Sequence, residues 1–235
     1  MLGFSFGESG KGPREILCLG AHSDDIEIGC GGTVLEMLAA NPGARIVWVV
    51  FSGDGPRELE ARRSARMFLK GAPRVEVIQR SFRDGFFPDQ HREIKEFFEE
   101  LKRRASPDVI LTHYRQDRHQ DHRVISDLTW NTWRNHLILE YEIPKYDGDL
   151  GAPNVFVPVG ADATRRKVRN LCSVFKTQRN HHWFTREVFL GLMRIRGLEC
   201  CAPSGYAEAF HSRKAVVELT VARRGSAARS RAAAS

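Results

Sequence analysis

The sequence predicts an α/β protein with three layers, in which a mostly parallel central sheet carries helices on both faces. Short β-rich runs alternate with helical patterns along the first half of the chain. The strand candidates are apolar throughout, which is typical of parallel strands buried on both faces. Polar clusters directly follow the first and fourth strand candidates, and ligands bind at the carboxyl ends of strands in such sheets.

The first half of the chain alternates regularly between strand and helix. The predicted strands lie at 15–20, 45–52, 74–79 and 108–112. The predicted helices lie at 32–40, 59–70 and 91–105. The last of these helices is amphipathic, because Ile94, Phe97, Phe98 and Leu101 recur at helical spacing.

The second half is less regular. Strands are predicted at 137–143 and 154–159, helices at 164–175 and 183–196, and short strands or loops at 207–210 and 214–221. Because no linker or internal repeat interrupts this pattern, we expect one domain over residues 1–221. Residues 222–235 are rich in Ala, Ser and Arg without apolar periodicity, which predicts a disordered basic tail.

Composition limits the class of protein. The hydrophobic fraction of 42% and charged fraction of 28% are ordinary for a globular domain. No apolar run is long enough to cross a bilayer, and the first residues lack a signal-peptide pattern, so we expect a cytoplasmic protein without a transmembrane segment. The net charge of +7 lies partly in the tail, so no specific nucleic-acid partner is predicted.

The five cysteines are odd in number and show no C-x-x-C spacing. Reduced thiols are therefore expected, as is usual in the cytoplasm. The adjacent pair Cys200 and Cys201 leaves a strained vicinal disulfide as the alternative.

Two polar clusters carry the chemistry. The first contains His22, Asp24 and Asp25 after strand one, and the second contains His119 and His122 after strand four. A catalytic zinc needs three protein ligands from nitrogen or carboxylate oxygen and one open position. His22 and Asp25 could hold one ion, and His122 could complete the set. Asp24 would then be free beside the metal as a general base for bound water.

His119 precedes His122 by one helical turn, so both could face one cleft. Asp117 or Asp121 could accept a hydrogen bond from the His119 ring and keep it charged, which would stabilise a developing oxyanion. The second carboxylate could instead orient His122. We therefore group Asp121 with Asp24 and His119 as candidate catalytic residues.

Each cluster has a simpler interpretation. Either motif alone is short enough to be a solvated loop, and Asp24 or Asp25 could simply cap the following helix. The glycines at 29, 31 and 32 do not match a phosphate-binding motif and predict a tight turn instead. His113 could contact substrate or make a structural hydrogen bond. Three arginines near strand ends could bind an anionic part of the substrate, although a surface role is favoured for each: Arg57, Arg62 and Arg83.

The motifs resemble those of the PIG-L/LmbE-like zinc deacetylases. The run at 21–33 (AHSDDIEIGCGGT) is similar to the first signature of that family. The second signature, Asp-x-His-x-Asp-His, is matched at 117–122, and a Glu-x-Phe near the end is matched at 208–210. The resemblance extends over roughly residues 16–210. One departure is Ser23, which stands where the family usually has proline.

The resemblance implies a Rossmann-like fold and removal of an N-acetyl group, commonly from an N-acetylglucosaminyl substrate. It implies that His22, Asp25 and His122 bind one Zn²⁺ ion, although another divalent metal is possible. It also implies that Asp24 is the general base and His119 the electrostatic partner. A homo-oligomer is possible.

Two alternatives remain open. The same residues would permit hydrolysis of a different amide or an ester. A non-catalytic sugar- or nucleotide-binding module would need neither the full ligand set nor Asp24.

Overall fold

The protein is described here by a computed structural model covering residues 12–216. A seven-stranded sheet has the order β3-β2-β1-β4-β5-β7-β6. The strands are β1 (Glu15–Gly20), β2 (Arg45–Val50), β3 (Arg74–Gln79), β4 (Val109–His113), β5 (Leu137–Tyr141), β6 (Val155–Pro158) and β7 (Ala207–His211). The first five strands are parallel, and β7 runs antiparallel to both β5 and β6. The predicted α/β fold with a mostly parallel sheet is thus confirmed.

Six α-helices cover the two faces of the sheet. They are α1 (Asp25–Ala40), α2 (Gly55–Phe68), α3 (His91–Arg104), α4 (Gln120–Thr132), α5 (Ala161–Val174) and α6 (Arg186–Glu199). Alternate residues of β1 point to opposite faces, so Ile16 packs in one core and Leu17 in the other. Helices α1, α2, α5 and α6 contribute to the first core, and α3 and α4 to the second. The arrangement has three layers.

The strand order brings the two polar clusters together. Strand β1 pairs with β2 on one side and with β4 on the other, with Ile16 opposite Val109. The chain therefore leaves β1 and β4 at the same edge of the sheet, where the order reverses. The segments that follow β1 and β4 face each other across this edge.

Helix α1 differs most from the sequence prediction. It begins at Asp25 and not at residue 32, so Gly29, Gly31 and Gly32 lie inside the helix and the predicted tight turn is wrong. A Cβ at Gly29 would lie 2.1 Å from the Tyr141 ring, and one at Gly31 would lie 2.6 Å from the Phe68 ring. Close packing of α1 against its neighbours requires these glycines and outweighs their low helix propensity.

The remaining predicted elements up to residue 210 are present with bounds shifted by a few residues. Helix α2 begins earlier than predicted, at Gly55, because Pro56 suits the first turn of a helix. All five cysteines are free thiols. No helix within residues 12–216 is long and apolar enough to cross a membrane. Residues 217–221 and the predicted tail at 222–235 lie outside the described residues, so the extent of the domain stays a prediction.

Candidate metal centre

The turn after β1 folds back on itself. The Asp25 carboxylate accepts a 2.6 Å hydrogen bond from the backbone N–H of His22. The first turn of α1 closes by a bond from the N–H of Ile28 to the carbonyl of Asp24. These bonds hold the imidazole and both carboxylates at the amino end of the helix, where the helix dipole favours negative charge.

The three predicted ligands converge on one point. His22 Nδ1 lies 3.1 Å from His122 Nε2. Asp25 Oδ2 lies 3.3 Å from His22 Nδ1, and Asp25 Oδ1 lies 3.5 Å from His122 Nε2. Tetrahedral zinc with bonds of about 2.0–2.1 Å separates its ligands by about 3.3 Å. Each of the three distances is close to this value, with a different oxygen of Asp25 facing each histidine. We call His22, Asp24, Asp25 and His122 the metal-site cluster.

One carboxylate oxygen of Asp24 has no hydrogen-bond partner within the described residues. Asp24 is 3% exposed, yet its Oδ2 has no hydrogen bond within the described residues, and neither has the buried hydroxyl of Ser23. An unpaired buried polar atom is costly. Burial and the neighbouring charge of Asp25 raise the pKa of Asp24 to about 6, against the opposing charge of Arg57. This oxygen is available to a ligand.

Negative charge surrounds His22. Carboxylate oxygens of Asp25, Asp84 and Asp121 lie 3.3, 3.1 and 3.2 Å from its ring nitrogens. Although burial opposes protonation, the charge of Asp25 and hydrogen bonds to the three carboxylates raise the pKa of His22. This excess of carboxylates and the nitrogen and oxygen donor set both fit a divalent cation.

Asp117 orients His122. Its Oδ2 lies 2.9 Å from Nδ1 of His122, and its Oδ1 accepts the backbone N–H of His119 at 2.8 Å. Burial, followed by the charge of His113, lowers the pKa of His122 to about 4, so its ring is neutral as a metal ligand requires. Of the two roles considered for Asp117, the structure therefore shows the orientation of His122.

Asp121 orients His22 rather than His119. Its carboxylate contacts His22 Nε2 and accepts backbone N–H groups from Gly85 at 2.6 Å and Phe87 at 3.1 Å. The Nδ1 atom of His119 instead accepts the N–H of Asp121, at 3.2 Å. Burial and the charge of His22 lower the pKa of His119. The expectation that a carboxylate keeps His119 charged is therefore wrong.

The metal centre also contains two polar residues that the sequence did not predict there. Asp84 follows β3 and contacts His22, and Arg57 in the first turn of α2 pairs with Asp84 at 2.7 Å. Arg57 also lies 3.6 Å from Asp24. In the sequence, the only signal for these two residues is that each follows a strand that ends at the same edge of the sheet as β1 and β4. Arg62 pairs with Glu58 and Arg83 lies over the ring of Phe86 instead.

His113 has a structural role. The residue is fully buried, its Nε2 accepts the N–H of Ala21 at 2.9 Å, and the same atom lies 3.2 Å from Asp25. The Tyr141 hydroxyl lies 3.2 Å away. Of the two roles considered for His113, the structure shows the structural hydrogen bond, which joins the end of β4 to the turn after β1.

Glu208 of the Glu-x-Phe motif contacts the backbone of α1 beyond its first turn. Its carboxylate accepts backbone N–H groups of Gly32 at 2.8 Å and Thr33 at 2.6 Å, and it pairs with Lys167. The ammonium of Lys167 also donates to the carbonyl of Ile28 at 2.6 Å. The Lys167–Glu208 pair therefore contacts the Ile28 carbonyl and the Gly32 N–H, the two groups that an i to i+4 helix bond joins.

Comparisons with known proteins agree with this site. Residues 17–133 match the PIG-L family, described as GlcNAc-PI de-N-acetylase. The uncharacterized deacetylase YaiS of Escherichia coli (strain K12) is 30% identical over 140 residues, covering 56% of this chain and 75% of the relative.

Solved structures share the fold at lower identity. N,N'-diacetylchitobiose deacetylase from Pyrococcus horikoshii superposes with a TM-score of 0.63 at 19% identity, covering 85% of this chain and 84% of that one. GalB of Pseudomonas putida KT2440, described as 4-carboxy-2-hydroxymuconate hydratase, gives a TM-score of 0.70 at 17% identity, covering 89% and 100%. At this identity the likeness shows the fold alone.

The fold and the site together define an LmbE-like α/β hydrolase with a centre that could bind a metal. The chain belongs to the PIG-L family, and it is an N-deacetylase of that kind. The non-catalytic alternative is thereby set aside.

Proposed function

We propose that the protein is a zinc-dependent N-deacetylase that removes acetate from an N-acetylated sugar. The observation that carries the proposal is the close approach of donor atoms from His22, Asp25 and His122, beside an Asp24 carboxylate oxygen that has no hydrogen-bond partner within the described residues. A buried site of this kind offers both a place for a cation and a base within reach of it.

The three donors would hold Zn²⁺ or another divalent cation. Such an ion polarises a carbonyl group and lowers the pKa of water to about 7. Asp121 and Asp117 hold the rings of His22 and His122 in orientations that suit this role.

Asp24 acts first as the general base and then as the general acid. It takes a proton from the water that attacks the acetyl carbonyl, and it passes that proton to the departing amine. Its pKa of about 6 suits both steps near neutral pH. Arg57 opposes protonation and so keeps the carboxylate ionised before the attack.

His119 acts as a neutral hydrogen-bond donor. Because its Nδ1 accepts the N–H of Asp121, the ring proton of the neutral imidazole lies on Nε2. A neutral imidazole donor can stabilise the oxyanion that develops on the acetyl oxygen.

The sugar would bind at the exposed rim of the centre. Asp84 is 47% exposed at its side chain and is held by Arg57 at 2.7 Å, which gives a fixed donor and acceptor pair for sugar hydroxyls. A separate open groove of about 780 Å³ is lined by Asp117 and residues 147–151. The groove has room for the group attached to the sugar. The deacetylase relatives support this substrate class.

Acetate release tests the proposal. The protein is stripped of metal with a chelator, then assayed with and without added Zn²⁺ on N-acetylglucosamine, N,N'-diacetylchitobiose and a glycolipid carrying N-acetylglucosamine. We expect acetate from at least one sugar, only after metal is restored. An N-acetylated amino acid and an O-acetylated sugar serve as controls.

The alternative is a metal-dependent hydrolase of another amide or an ester, which the same residues permit. Zinc-dependent turnover of only the control substrates would favour it. A hydratase also has this fold. Absence of acetate from all substrates despite stoichiometric zinc would contradict the proposal.

A further inference from the structure

Lys145 lies against the carboxylate that orients His122. It follows β5 by a few residues, and its side chain is only 9% exposed. Its ammonium lies 2.9 Å from Oδ2 of Asp117, the same oxygen that faces His122 Nδ1. Lysine is seldom buried unless its charge is paired. Here the charge of Lys145 is paired with Asp117, beside the metal-site cluster.

The same ammonium reaches a second loop. It pairs with Asp149, whose side chain is 7% exposed, and Asp149 also accepts the backbone N–H of Arg118 at 2.7 Å. Lys145 therefore joins the loop that carries Asp117 to residues 147–151, which form one wall of the open groove. Two buried carboxylates share this one cation.

The electrostatic consequence falls on Asp117. Without Lys145, Asp117 and Asp149 would be left as buried acceptors with no neutralising cation, which is strongly unfavourable. Asp117 also holds the N–H of His119. Loss of the ammonium would therefore disturb the one carboxylate that fixes the ring plane of His122.

We propose that Lys145 is a positioning residue for the metal ligand His122, acting through Asp117 and coupling the groove wall at 147–151 to the metal centre. This inference rests on the metal site of the proposed function. Partners of metal-ligating histidines affect metal affinity about 10–100-fold when changed. Because Lys145 acts on His122 only through Asp117, we expect its loss to lower metal affinity by a factor near the lower end of that range.

The test compares Lys145→Met with Lys145→Arg in the full-length protein. Zn²⁺ affinity is measured by competition with a chromophoric chelator, without substrate, and the visible spectrum of the Co²⁺-substituted protein reports ligand geometry. We expect Lys145→Met to weaken Zn²⁺ binding about 10-fold and to alter the Co²⁺ spectrum. Lys145→Arg, which keeps the charge, should stay within about 3-fold of the unchanged protein and keep its spectrum.

Lys95→Met is the matched control. Lys95 pairs with Glu99 on α3, so this variant also removes a paired lysine, but away from the centre. It should leave the affinity and the spectrum unchanged. If Lys145→Met proves unfolded by circular dichroism, Asp149→Asn replaces it. That change releases Lys145 from the groove wall and should lower Zn²⁺ affinity by a smaller factor.

The outcomes separate the two proposals. If the unchanged protein binds no divalent metal, the proposed function fails. If it binds Zn²⁺ and folded Lys145→Met binds it equally well with the same Co²⁺ spectrum, the role of Lys145 is overturned while the metal site stands. Equal loss in folded Lys145→Met and Lys145→Arg would overturn it as well, because charge would not be the cause.

Discussion

Two of the buried polar groups at helix α1 differ in how their atoms are satisfied. In the Lys167–Glu208 pair, both carboxylate oxygens and the ammonium have partners from the protein itself. In the metal-site cluster, Asp24 keeps a buried oxygen with no partner within the described residues. Both groups are almost completely shielded from water. A buried polar group with every bond made stabilises structure, whereas one with an open acceptor is arranged for a ligand.

The difference matters because the two groups are carried by one helix. The Lys167–Glu208 pair bonds the backbone of Ile28, Gly32 and Thr33, while the first turn of α1 presents Asp24 and Asp25. The satisfied group fixes the position of the helix. The metal-site cluster is in turn positioned by this helix, because Asp24 and Asp25 lie at its amino end. Changes in the two groups should therefore affect different properties of the protein.

Asp24→Asn should have the largest effect, and on activity alone. Loss of the general base should lower kcat about 10²–10⁴-fold. The melting temperature should be unchanged or raised, because a neutral amide relieves the repulsion between Asp24 and Asp25. Steady-state acetate release and thermal unfolding check this prediction. Near-full turnover with zinc still bound would show that Asp24 is not the base.

Lys167→Met should affect stability instead. The ammonium is 2% exposed, and its loss leaves the buried Glu208 carboxylate unneutralised. Breaking a buried ion pair from one side costs about 3–5 kcal/mol. Urea unfolding should show this loss as a lower midpoint, with kcat of the folded enzyme changed much less than in Asp24→Asn. An unchanged midpoint would mean that the pair does not stabilise α1.

Acidic pH should inactivate the enzyme through Asp24. The base works only when ionised, and burial raises its pKa to about 6, so kcat/KM should fall as the pH drops below about 6. Arg57 lowers this pKa, so Arg57→Gln should move the acidic limb to higher pH. Arg62→Gln is the control, since Arg62 pairs with Glu58 away from the centre. A limb that stays in place in Arg57→Gln would contradict the assignment.

Ser23→Ala should have the smallest effect. The hydroxyl is buried and has no partner among residues 12–216, so its removal should leave the free energy of unfolding within about 1 kcal/mol. Activity should stay within a few-fold of the unchanged enzyme. A large loss of kcat/KM would show instead that this hydroxyl contacts the substrate.

Sequence patterns predict the sheet and the convergence of the metal-site cluster, because apolar runs and the polar residues that end them are local signals. They do not predict the start of α1, because its three glycines have low helix propensity and tertiary packing makes the segment helical. They also do not predict Asp84, Lys145 or Lys167 as buried partners. A charged residue in a loop or on an amphipathic helix is typical of a solvated surface, and only long-range contacts reverse that expectation.

The neighbouring positions of β1 and β4 have a consequence for unfolding. His22 and His122 are separated by 100 residues, and their ring nitrogens lie 3.1 Å apart. A cation bound to both would act as a removable cross-link that closes a loop of this length. In the chain-entropy model, a permanent cross-link of this span disfavours the unfolded ensemble by about 4–5 kcal/mol. Chelation should therefore lower the free energy of unfolding of the protein, so the ion would contribute to the stability of the fold as well as to its chemistry.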